Sequence, residues 1–186
     1  MLDKIALPEL IIIYKEPFRM KTLYFLLHEW CMENGYTDRA GGDKMLEINY
    51  EEQRYPDYNH YRIWWRMSKP ISQFIKFNCS IDWLGLAIQK IDVMKDGKKT
   101  WANLGEITLF LNFWINVDWN KYFEDHPILK RFKTVYMTRW RKKDLEGHKM
   151  QLKWDYFRLH GLIKKHFEMW HYIPTGEMYH KKLEEV

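Results

Sequence analysis

The densest run of side chains able to do chemistry is Arg139-Trp140-Arg141-Lys142-Lys143, four cations around one indole. Clustered Lys and Arg raise the local potential and draw polyanions, nucleic acid or anionic lipid alike. A second group follows at helical spacing. Met150, Trp154, Phe157 and Gly161 share one side of a helix, with Lys153, Arg158, Lys164 and Lys165 beside them and Lys149 a turn earlier. Rings bordered by cations suit a nucleic acid, whose bases stack while its phosphates are neutralised. They equally suit an anionic membrane, where Trp sits at headgroup depth beside Lys and Arg. The competing expectation is that a preceding helix covers Trp154 and Phe157, with Gly161 marking its close approach.

Other chemistry finds little foothold. The eight histidines include no pair four residues apart and no HExxH, and Cys31 and Cys79 lack partners at zinc-finger spacing, so no metal site is expected. No GxSxG, SxxK, Walker loop or GxGxxG occurs, so no catalytic residue is assigned and no cofactor is expected. Cys79 falls in a strand, where it reads as a small buried apolar residue. Asp82-Trp83 and Asp118-Trp119 each put a carboxylate before an indole. If the sheet joined them in an aromatic pocket, one pKa would rise and acid–base work would follow. Simple hairpin register instead sets Asp82 near Leu111 and leaves Asp118 residues away.

These residues need elements to hold them. Pro17 suits a first helical turn and Gly35 the position just past a helix end, with Met20, Leu23, Leu27, Trp30 and Cys31 forming an apolar face between. Leu10 to Tyr14 reads as a strand leading in. Met45 to Glu52 alternates weakly, Tyr55-Pro56-Asp57-Tyr58 marks a turn, and Asn59 to Met67 is a strand stopped by Lys69-Pro70. In that strand His60, Arg62, Trp64 and Arg66 share one face, and Tyr61, Ile63, Trp65 and Met67 the other. Asp96-Gly97 signals a tight hairpin between a strand ending near Met94 and a return strand, Glu106 to Trp119. Ile107, Leu109, Leu111, Phe113, Ile115 and Val117 line one face of that return strand. Thr108, Phe110, Asn112, Trp114, Asn116 and Asp118 line the other, a division only a strand can make. Gly85 and Gly105 are expected to bend the long hairpin. Asp125-His126-Pro127 opens a further helix, although Thr134 to Arg139 also fits a short strand. A last helix carries Leu152, Tyr156, Leu159, Ile163, Phe167 and Trp170 in one stripe.

The 186 residues are 46% hydrophobic and 30% charged, enough for one packed core and unlike a disordered chain. Aromatic residues make up 17%, an excess that the second face of the long strand partly absorbs. No apolar stretch is long enough to span a bilayer, and no signal-peptide pattern opens the sequence. With only two cysteines, a reducing, cytoplasmic setting is expected rather than a disulfide framework. The net charge of +5 is uneven: Lys121 to Trp170 holds 13 basic and six acidic residues, a surplus of seven against −2 for the remainder.

The expectation is therefore one α+β domain over residues 1–186. It comprises an N-terminal helix, a long curved antiparallel sheet of four or five strands and C-terminal helices on one face, with 174–186 a loosely packed tail. The leading functional expectation is a non-enzymatic binding protein. It contacts nucleic acid or anionic membrane through Arg139, Trp140, Arg141, Lys142, Lys143, Lys149, Lys153, Trp154, Lys164 and Lys165. The element order also resembles the helix-grip architecture of START-like proteins, in which a curved sheet wraps a helix around a cavity. That likeness implies an apolar-ligand carrier lined by Trp64, Phe110, Trp114 and Leu159. A third possibility is self-assembly into a homo-oligomer through Phe110 and Trp114.

Overall fold

The computed structural model describes residues 4–38, 46–95, 98–121 and 142–168. The helix expected after Asp125, the alternative strand at Thr134 to Arg139, Trp170 and the tail at 174–186 lie outside the described residues. The chain runs β1 (Lys4–Ala6), β2 (Leu10–Tyr14), α1 (Met20–Glu33), β3 (Glu47–Arg54), β4 (Asn59–Pro70), β5 (Ile75–Lys95), β6 (Lys98–Val117) and α2 (Lys142–His166). The strands form one antiparallel sheet of six, ordered β1-β6-β5-β4-β3, with β2 also on the outer edge of β6. That is one strand more than expected, because the three residues of β1 are too few to show an alternating pattern.

The sheet is built around a 21-residue strand and a 20-residue strand joined by residues 96–97, flanked by the pair Lys95 and Lys98. The return strand thus begins at Lys98 rather than Glu106. Register slips between Leu86 and Gln89, opposite Gly105. Gly105 has φ 154°, and a Cβ there would meet Ala87 O at 2.7 Å and Ile88 Cδ1 at 2.8 Å, so the bulge requires glycine. Gly85, paired with Tyr61 and Ile107, sits beside the register shifts on both neighbouring strands and lets Tyr61 Cβ approach to 3.3 Å from where its own Cβ would stand.

Helix α1 starts at Met20, later than Pro17 suggests. The backbone of Phe18 pairs with Asn103 of β6, which keeps residue 18 extended. Arg19 offers no side-chain cap, and Asn103 supplies one, its Oδ1 accepting from Met20 N at 3.1 Å. At the other end Gly35 N donates to Met32 O and Tyr36 N to Cys31 O, with Gly35 at φ 75°. This double bond pattern closes the helix as the glycine predicts.

One sheet face carries the core. Ile63, Trp65 and Met67 of β4, Phe77, Cys79, Ile81 and Trp83 of β5, and Ile107 through Val117 of β6 meet Leu23, Leu27 and Cys31 of α1 and Leu152, Leu159 and Ile163 of α2. Tyr24 stands edge-on to Trp65 at 4.9 Å, and Trp65 lies 5.3 Å from Trp83. Within this core Tyr36 Oη donates to the buried Asp155 of α2 at 2.8 Å, and Lys69 Nζ lies 3.8 Å from the same carboxylate. A buried anion is tolerable only with such partners. The opposite sheet face has no element packed on it among the described residues.

Candidate polyanion-binding surface

A 25-residue helix is about 37 Å long, and α2 presents two different sides along that length. Leu145, Leu152, Leu159, Ile163 and Phe167 are buried against the sheet and α1, as the stripe in the sequence requires. Pointing away from them are Met150, Trp154 and Phe157, exposed to 55%, 64% and 60%. The helical repeat puts these three in a single line, one turn apart, with Lys153 and Lys164 along one flank and Arg158 and Lys165 along the other. Within Lys142–His166 there are seven Lys and Arg against three carboxylates, and one of the three, Asp155, is buried. The outward side is therefore apolar along its crest and cationic along both edges.

Of the residues read from sequence as contacting a polyanion, Lys143, Lys153, Trp154 and Lys165 are exposed on α2, and Lys149 and Lys164 are half-buried. Lys142 begins the helix, while Arg139, Trp140 and Arg141 lie outside the described residues. Among the described residues nothing covers Trp154 or Phe157, and the helix expected to pack over them lies outside those residues. A Cβ at Gly161 would meet nothing within 4 Å among the described residues.

The residues named for an apolar cavity are not brought together. Leu159 is fully buried beneath the core face. Trp64, Phe110 and Trp114 alternate with core residues and so stand on the opposite face. The space between sheet and α2 is filled by Phe77, Phe113, Leu152 and Leu159 rather than left for a ligand. An opening of about 860 Å³ lies elsewhere, between Phe18 at the start of α1, Met94 near the hairpin tip and Phe167 after α2. For self-assembly, Phe110 and Trp114 are half-buried on the open sheet face, not a bare patch.

Nor do the two carboxylates meet. Asp82 pairs across β6 with Phe110 and is gripped by Arg66, Nη2 to Oδ2 at 3.0 Å and Nη1 to Oδ1. Asp118 sits beyond the end of β6 at φ 58°, close to the Phe74 backbone. Burial raises the thiol pKa of both Cys31 and Cys79 above its ordinary value, which suits packing and not nucleophilic work. Among the described residues no cluster of His, Cys, Asp or Glu is placed to hold a metal, and no helix is long and apolar enough to cross a membrane.

What the sequence missed is the order on the open sheet face. Register sets Ser68, Asn78 and Trp114 abreast on β4, β5 and β6, next to the row Pro70, Lys76 and Asn116. Alternation showed which face each residue takes; only the pairing of strands shows which residues become neighbours.

Fold and surface together define an α+β domain with a filled core and an amphipathic outward helix side. Comparison with models of known protein families finds no match, and neither does comparison with curated proteins.

Proposed function

We propose that the protein is a non-enzymatic binding protein that seats the outer side of α2 on an anionic lipid bilayer. The exposed line Met150, Trp154 and Phe157 between two cationic edges carries the proposal. Large apolar side chains held in contiguous exposure on a rigid element favour a partner that removes them from water. A projecting crest suits a flat interface into which rings can sink while ammonium and guanidinium groups meet headgroups. A single nucleic-acid strand is better served by a groove that tracks its phosphates.

Magnitudes support a mixed mode. Fully burying a Met or Phe side chain favours transfer by about 1.5–3 kcal/mol, and each cation near an anionic leaflet adds about 1 kcal/mol. Binding should therefore weaken as salt rises but not vanish. Contact with nucleic acid, being dominated by counterion release, would fall steeply.

The test is co-sedimentation with vesicles of phosphatidylcholine alone or mixed with phosphatidylserine, beside anisotropy titration of a single-stranded RNA. The expected result is binding to the mixed vesicles that is retained in part at high salt. Binding to RNA without binding to either vesicle would overturn the lipid assignment, and binding to neither would overturn polyanion contact altogether.

A further inference from the structure

A second site lies on the other side of the molecule, at the end of the open sheet face. A cleft of about 440 Å³ there is lined by Ser68, Lys76, Asn78, Trp114, Asn116 and Trp119, with Arg66 at its inner end. Its volume falls within the range of small-ligand pockets, roughly 300–1,000 Å³. Three features define what would fit.

The first is charge. Lys76 supplies the cleft's available cation, since Arg66 is paired with Asp82, and no carboxylate lines it. The second is ring surface. Trp119 is fixed by its indole N–H donating to Ser72 O at 3.0 Å, and Lys76 Nζ stands 4.9 Å from its ring centre. Trp114 forms the neighbouring wall, with Lys4 Nζ 4.6 Å from its ring centre. Each indole thus has a cation beside its ring, the pairing a planar group with an attached anion can use. The third is a polar floor. Ser68 and Asn78 are buried between the aromatic walls, and Asn116 makes no side-chain hydrogen bond among the described residues. Adjacent strands lie about 4.8 Å apart, so the row Ser68, Asn78 and Trp114 spans roughly 10 Å, a base with its ribose.

We infer that this cleft binds a small anionic ligand carrying a flat ring, of the nucleotide class. The ring stacks on indole, its edge meets the amides of Asn78 and Asn116, and its phosphate meets Lys76. Because the cleft and the outer side of α2 lie on opposite sides of the sheet, the two sites are separable by mutation.

The experiment titrates the whole protein with adenosine monophosphate and, in parallel, with adenosine, inorganic phosphate and glucose, by calorimetry. The monophosphate should bind at least tenfold more tightly than any of the three. Lys76→Met should lower its affinity severalfold and leave adenosine unchanged, while Trp114→Ala weakens both. Lys76→Met alters a half-buried cation of the cleft and not the core, so the test survives if Trp114→Ala unfolds. Phosphate binding as well as the monophosphate, glucose binding better than either, or no heat with any of them would each overturn the inference. Trp154→Ala should not change these titrations, so failure here and failure on vesicles stay distinct.

Discussion

The outer side of α2 and the open face of the sheet both display tryptophan, and they display it differently. On the sheet the polar and aromatic groups are held in place: Arg66 is locked to Asp82, Asn112 donates to Glu9 at 2.7 Å, and Lys4 and Lys76 lie against Trp114 and Trp119. On α2, Trp154 has no ring or hydrogen-bond partner among the described residues and is nearly two-thirds exposed. A surface already satisfied from within can be selective for a small ligand that matches it. A surface whose apolar groups stand mostly in solvent is suited to an extended, deformable one.

The sharpest way to break the comparison is to truncate tryptophan in two places. Trp65→Ala, in the core between Tyr24 and Trp83, should cost about 3–5 kcal/mol in chemical denaturation. Trp154→Ala should leave the denaturation midpoint in place and lower affinity for anionic vesicles by about ten- to a hundredfold. If Trp154→Ala unfolds the protein, the crest is structural and not a contact surface.

Next in size is the buried link across the core. Asp155→Ala removes the acceptor of Tyr36 and the anion beside Lys69, and should destabilise by about 2–4 kcal/mol, read by the same denaturation. Gly161→Ala should act in the opposite direction. With nothing near the new methyl among the described residues, it stabilises by about 1 kcal/mol, visible as a raised melting temperature. An effect of pH should be smaller still. Burial holds His160 and His166 below the ordinary imidazole value, with Lys164 adding to the effect at His160. The unfolded chain then takes up protons that the folded one resists, so stability should fall as pH drops below about 6.5 and level off above it. Substituting both histidines with Gln should flatten that part of the stability curve.

The fold was legible where local pattern and tertiary burial agree. Ile107 through Val117 alternate because one sheet face is fully buried and most of the other only half-buried, and Gly35 ends α1 because its φ suits that residue. Legibility failed where a distant residue does the local work. Pro17 pointed to an early helix start, but pairing of Phe18 with Asn103 moved it to Met20. The crest of α2 could be read from helical spacing, whereas its exposure depends on what else packs nearby. The cleft was hidden because its walls come from β4, β5, β6 and Trp119, and no short segment contains them.

Contact of the α2 crest with lipid can be measured directly with a spin label. Cys31 and Cys79 are buried, so Met150→Cys introduces the one readily labelled thiol among the described cysteines. On phosphatidylserine-containing vesicles the label should become more accessible to oxygen and less accessible to a water-soluble nickel complex. Equal accessibility with and without vesicles, for protein that co-sediments with them, would mean that some other surface meets the membrane.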